Sequence, residues 1–226
     1  MTTSGTTSFD LDFTEIAEEA WEQAGQEMRS GYQLRTARRS MNLMLIDWNN
    51  KGINLWTVDE GTLPLVSGTA TYTLPADTVD LLEHVIRTGT GTSQSDLNIS
   101  RISVSTYSSI SNKLSEGKPI QLYINRLVAA PTVTVWPVPD SNDYTLQYWR
   151  MRRMQDAGSG VETADITYRF LPCLVAGLAY HLAMKTPELA SRIQMLKSNY
   201  DEAFYTAASE DREKATLTLV PRGMGL

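Results

Sequence analysis

The chain is poor in the residues that most chemistry at protein sites requires. It has one cysteine, Cys173, and two histidines far apart in the sequence, His84 and His181. A lone cysteine excludes an intrachain disulfide framework and a cysteine-clustered zinc site, and the histidines lack the spacing of a transition-metal site. No apolar run approaches the ~20 residues that span a bilayer. The start, Met1 to Ser8, is rich in Thr, Ser and Gly, with neither a basic region nor an apolar signal core, so the chain is expected to be made and kept in a cytoplasm, with no membrane partner. The glycines of Thr88-Gly89-Thr90-Gly91-Thr92-Ser93-Gln94-Ser95 lack the lysine and the strand-to-helix setting of a phosphate loop; there is no dinucleotide fingerprint or calcium loop either. No metal or cofactor is expected.

Catalysis would need a nucleophile beside a base, or two carboxylates facing each other across a cleft. Cys173 and His181 fall on one predicted helix, about 12 Å apart along its axis, which is beyond hydrogen-bond reach. The paired acids Glu18-Glu19, Asp59-Glu60 and Glu210-Asp211 are sequence neighbours, the pattern of surface charge. The chain is therefore read as not an enzyme. Basic charge is also short: 20 Lys and Arg stand against 26 Asp and Glu, a net charge of −6, which argues against a protein built mainly to grip duplex DNA.

What the chain does have is an ordinary globular composition, 42% hydrophobic and 20% charged, and enough length to bury a core. Its centre alternates apolar and polar residues in short runs broken by turn formers, the pattern of half-buried strands. Ile120, Leu122 and Ile124 share a face in the first run; Val133 and Val135 oppose Thr132, Thr134 and Trp136 in the second; Tyr144, Leu146 and Tyr148 carry the third. The three are expected to form a β meander. Just upstream, Ile102 to Ser111 predicts a strand end and one short helical turn, capped by Ser103 or Ser105.

Helical periods flank this centre. Asp10 or Asp12 can cap a helix running to about Met28, with Ile16, Ala20, Trp21 and Ala24 on one face. A second helix is predicted from Tyr32 to about Asn50, with an apolar stripe of Leu34, Ala37, Met41, Met44, Leu45 and Trp48, and with Gly52 at its left-handed end. Strands are predicted at Leu55 to Val58, at Thr69 to Leu74 and at Glu83 to Thr88, with a turn around Asp59-Glu60-Gly61 and a hairpin tip at 88–95. Gln155 to Thr163 has the composition of a linker. A strongly apolar helix follows from about Ala164 to Lys185, in which Pro172 marks a kink or the true first turn. A last helix is predicted from Pro187 to about Ser209. Ala215 to Val220 alternates like a strand.

Two helices before the β region and two after it give the expected fold class: α+β, a four-helix bundle from the N- and C-terminal helices with an inserted antiparallel β domain. The boundaries are 1–52 and 157–214 for the two halves of the bundle, 53–156 for the β domain and 215–226 for an extended C-terminal tail.

The succession of a Ser-containing short helix, Gly117-Lys118-Pro119 with Tyr123, Val135-Trp136-Pro137-Val138-Pro139-Asp140, and Tyr144-Thr145-Leu146-Gln147-Tyr148-Trp149-Arg150 resembles the head-to-tail adaptors of tailed bacteriophages. The resemblance implies a structural virion protein of the neck, assembled in the host cytoplasm. It further implies a ring, of twelve subunits, beneath the portal, joining capsid to tail and lining the channel through which genomic DNA passes without sequence-specific binding. The implied partners are the portal protein, further copies of the chain and the next tail or nozzle protein. An acidic or neutral channel wall would let DNA slide. The tail segment, through Thr216, Leu217, Leu219, Val220 and Arg222, is the expected portal-docking element; Trp21, Trp48, Trp149, Arg150 and Arg152 are the expected subunit-interface residues.

Two other classes stay open. Arg35, Arg38 and Arg39, together with the aromatic and arginine cluster of Tyr144, Tyr148, Trp149, Arg150, Arg152 and Arg153, would suit a nucleic-acid-binding module that stacks single-stranded bases. Two acids meeting from facing elements across a groove would suit a tail-associated glycan hydrolase.

Overall fold

The computed structural model describes Gly5, Thr7, Phe9 and residues 11–53 and 55–211. The expected tail at 215–226 lies outside the described residues. The class is α+β, and the described residues fall into two compact units, one within Met1–Trp56 and Met154–Leu226, the other Thr57–Arg153. No described helix is long and apolar enough to cross a membrane.

In the helical unit, α1 spans Phe13–Ala24. Asp12 caps it: its Oδ1 accepts from the Glu15 amide at 2.8 Å while Glu15 accepts from the Asp12 amide at 3.0 Å. The helix stops short of Met28 because Gly25 turns left-handed, φ 99°, a conformation that costs glycine little. Ser30 and Gln33 form a second capping box that opens α2, Gly31–Asn50. Pro172 sits in the first turn of α4, Leu171–Ala183, and does not kink it. The last predicted helix divides: Pro187–Arg192 is a 3-10 turn, and α5 proper is Ile193–Glu210. Here the Thr186 hydroxyl donates back to the Leu182 carbonyl at 3.0 Å and caps nothing ahead of it.

One core joins the two ends of the chain. Phe13, Ile16 and Trp21 of α1, Met41, Met44 and Trp48 of α2, Phe170 and Leu174 of the α4 region and Leu196 and Tyr200 of α5 are all buried in it. Gly177 lets α4 come close: a Cβ there would lie 2.6 Å from Met44 Sδ and 2.7 Å from the Tyr200 ring. The stretch expected as a linker is fastened to this unit. Gly160 O accepts from the Thr14 amide and hydroxyl, Glu162 O from the Phe13 amide, and Asn42 Oδ1 from the Ala157 amide.

The other unit has eight strands: β1 Val58–Pro64, β2 Thr71–Thr73, β3 Thr78–Thr88, β4 Ser95–Asn98, β5 Ser100–Ile102, β6 Gln121–Asn125, β7 Thr132–Trp136 and β8 Tyr144–Arg152. A short α3, Val104–Ser109, is capped by Ser103. The strands form two four-stranded sheets, β1-β8-β3-β4 and β2-β7-β6-β5, whose side chains share one core that includes Leu81, Ile86, Leu122, Val135 and Leu146.

Three expectations are corrected here. The sheets are not purely antiparallel, because β5 pairs parallel with β6. The meander breaks after β7, since β8 belongs to the other sheet: prolines 137 and 139 donate no backbone hydrogen bond, and Val138 spends its amide on Ser115 O and its carbonyl on the Gly117 amide, so no tight turn forms. Asp59-Glu60-Gly61 is no turn. It runs straight through β1, and Gly61 is there because it lies opposite Tyr148, whose ring a Cβ would meet at 2.5 Å.

Candidate interaction surfaces

The expected chemical groups stay apart. Cys173 is buried in α4, where burial pushes its thiol up to about 12, so almost no thiolate forms at neutral pH. His181, on the same helix, is held below its ordinary value by burial first and by Lys185 next. Its ring neighbours are Tyr180 and Tyr200, with centroids at 5.3 and 6.3 Å. Among the described residues no group of three or more His, Cys, Asp or Glu is placed to hold a metal ion.

The arginine cluster of β8 is spent inside its own unit. The alternation that buries Leu146 and Tyr148 brings Arg150 and Arg152 to the rim of the same core. The Arg150 guanidinium, its side chain 13% exposed, donates to Asp77, to the Thr78 hydroxyl at 2.9 Å and to Asp59 at 3.3 Å. Arg152 Nε meets the same Asp59 carboxylate at 3.3 Å. Arg150 also holds the Asp77 carboxyl below its ordinary value, chiefly by hydrogen bonding. Trp149 is half-buried, in register with Glu60 of β1 and Glu83 of β3.

Trp21 and Trp48 lie in the helical core. Trp48 is fully enclosed by its own chain and offers no indole surface to a neighbour; Trp21 keeps only a sliver of exposure. Thr216, Leu217, Leu219, Val220 and Arg222 lie outside the described residues. Of the α2 arginines, Arg38 donates to Gly158 O at 3.3 Å, whereas Arg35 and Arg39 point outward.

The sequence reading missed a second apolar face. Besides its buried stripe, α2 carries Tyr32, Leu43 and Ile46 at 66, 65 and 58% exposure. The signal was available: Leu43 and Ile46 fall off the face defined by Met41, Met44, Leu45 and Trp48 on a helical wheel. Two open grooves also mark the helical unit. One, of about 630 Å³, lies at the α1–α2 turn between Glu22, Gln26, Arg29 and Gln33. The other, of about 500 Å³, runs beside α5 and is lined by Pro172, Cys173, Ala203, Thr206 and Glu210 among others.

These features define an α+β protein with two apolar cores and with apolar side chains left on its surface. The family model of the SU10 adaptor protein matches residues 11–222, nearly the whole chain, and the protein belongs to that family of phage head-to-tail adaptors. It is a structural adaptor protein of bacteriophage, placed by its family at the virion neck with portal and tail components as its partners. No curated protein matches the chain.

Proposed function

We propose that the protein forms a closed ring beneath the portal, connects capsid to tail and lines the channel through which the genome passes. The observation that carries this reading is the family match over residues 11–222. It gains support from the build of the chain, in which both ends make one helical core and the stretch between them makes a separate two-sheet core. In this reading the helical unit acts as a four-helix bundle that forms the ring wall, and the sheet unit is an insertion that faces the next tail or nozzle protein. Identical copies close a ring through heterologous contacts, in which one patch meets a different patch of the next copy. Twelve copies would match a twelve-fold portal. The net charge of −6 favours a wall along which DNA slides.

The segment Ala215 to Leu226 is proposed to dock on the portal through Thr216, Leu217, Leu219, Val220 and Arg222, as a short β-prone sequence that adds a strand to its partner or fills a groove on it. Trp149, at the surface of β8, is a proposed contact between subunits. Mass measurement and electron microscopy of the purified protein, alone and with portal, test the ring: a ring seen with portal supports it, and a protein that remains monomeric on portal-bearing heads defeats it. Deleting 216–226 should leave a folded protein that no longer joins the portal. Undiminished recruitment would defeat the docking role alone.

A further inference from the structure

We infer that the outward stripe of α2 is the seat of a second copy of this chain, and that what it seats is the acidic face of the neighbour's α1. The inference deepens the ring reading and rests on it. Tyr32, Arg35, Arg39, Leu43 and Ile46 recur at spacings of three and four, which places them within ~80° of arc on the helix. All five are exposed. A stripe this apolar is not a solvated helix face: its two guanidinium groups sit between Tyr32 at one end and Leu43 and Ile46 at the other.

The complement is found on the same unit. Glu15, Glu18, Glu19 and Glu22 line the exposed face of α1, which carries no lysine or arginine. Along the axis the four carboxylates span about 10 Å, and Arg35 and Arg39 are about 6 Å apart, so both guanidinium groups fit within the acidic stripe. Within one copy no ion pair among the described residues joins the two stripes. Glu15 also accepts from the Asp12 amide, Glu19 from Gln23, and Arg39 donates to Thr36 Oγ1 at 3.4 Å, but Glu15, Glu19 and Arg39 are all exposed and keep further hydrogen-bonding capacity for a neighbour. Because the patches differ, pairing one with the other gives a head-to-tail contact that repeats from copy to copy and can close. Leu43 and Ile46 continue the stripe beyond the arginines, where a carboxylate in their place would face the acidic α1, and the Arg–Glu pairs set the register and exclude the reverse pairing.

The test uses the full chain with portal-bearing heads, scored by the mass of adaptor recruited and by ring images. Ile46→Asp and Arg39→Glu change exposed positions, and circular dichroism checks that the monomer is still folded. Each is expected to lower assembly at least ten-fold, as is Glu18→Arg. Mixing Arg39→Glu with Glu18→Arg in equal amounts should restore assembly, since in an alternating ring every seat again joins opposite charges. Rings of the Ile46→Asp and Arg39→Glu variants at wild-type yield overturn this interface and leave the ring reading standing. Loss with no recovery on mixing overturns the pairing of the two stripes. Wild-type protein that never rises above a monomer, with portal or without, overturns the ring reading and this inference together.

Discussion

The indole Nε1 of Trp48 donates to the Tyr200 hydroxyl at 2.8 Å, a bond between two buried side chains 152 positions apart that ties α2 to α5. Phe204 and Phe170 pack their rings against the same indole, with centroids at 6.1 and 5.5 Å, so the bond cannot be traded for one to water. Tyr200→Phe removes the acceptor and leaves a buried donor without a partner. It should cost about 1–3 kcal/mol, the usual penalty for an orphaned buried group. Urea unfolding followed by tryptophan fluorescence measures it. Tyr205→Phe, on the same helix with the ring mostly in solvent, should change little.

A second prediction concerns Gly177, at the middle of α4, Leu171–Ala183, and so away from either cap. Helix propensity alone says that alanine there should stabilise by roughly 1 kcal/mol. Packing opposes it: the new Cβ would sit 2.6 Å from Met44 Sδ and 2.7 Å from the Tyr200 ring. Met44 can adjust, but Tyr200 is held by Trp48. Overpacking of this kind costs about 1–3 kcal/mol, so Gly177→Ala should be destabilising on balance, read as a lower midpoint in the same urea titration. A midpoint above wild type would mean that α4 and α5 can separate without loss.

Much of this architecture is legible in the sequence where one local signal decides the outcome. The cap at Asp12, with Asp10 as its alternative, the apolar stripe ending at Trp48, and the cap at Ser103, with Ser105 as its alternative, are all of that kind. The illegible parts depend on contacts between distant segments. Gly61 looks like a turn residue until Tyr148 is seen across the sheet. Leu81, Leu82, Val85 and Ile86 suit either a helix or a strand by spacing, because the ladder shifts between Leu81 and Glu83 and the inward side of β3 changes parity there: Leu81 and Ile86 are buried while Leu82 is exposed. Composition made 155–163 a linker, but nothing in composition reports that Thr14 and Phe13 would bind its carbonyls. For the candidate surfaces the same rule holds: tryptophan and arginine content drew attention to Trp48 and Arg150, and only packing reveals that the first is enclosed and the second is paired.

A third prediction follows from Glu162. Its carboxylate accepts from the Ser159 hydroxyl and from the amides of Ser159 and Gly160, at 2.7–3.0 Å, and these bonds hold its carboxyl down at about 2 from an ordinary 4.5. A depressed folded-state value means that the ionised form is favoured by the fold. The fastening is therefore complete above about pH 4.5 and is lost as pH falls towards 2. Protection of the Ser159 and Gly160 amides, taken against the intrinsic exchange rate at each pH, should fall across that window. In Glu162→Gln, exchange should already be fast at neutral pH and show no acid step of its own.

The last prediction decides what the arginines of β8 are for. If Arg150 and Arg152 gripped nucleic acid, their positive charge would have to reach phosphates, and binding would weaken steeply with salt. Instead Arg150 divides its donors between Asp77, Thr78 and Asp59, and Arg152 shares the Asp59 carboxylate. Two acids on adjoining segments thus match the two arginines, and the cluster closes the rim of the sheet core. Arg150→Met keeps much of the aliphatic stem and removes every one of those hydrogen bonds. It should lower the stability of the sheet unit, seen as faster amide exchange in β1 and β3. Binding to single-stranded or duplex DNA should be weak in the wild type at physiological salt and unchanged in the variant. Lysine at 150 keeps the charge but lacks the planar fork that reaches Asp77 and Asp59 together, so Arg150→Lys should recover only part of the lost protection. A steep salt dependence of DNA binding in the wild type, abolished by Arg150→Met, would instead show that phosphate draws the guanidinium away from Asp77 and would return the cluster to nucleic-acid recognition.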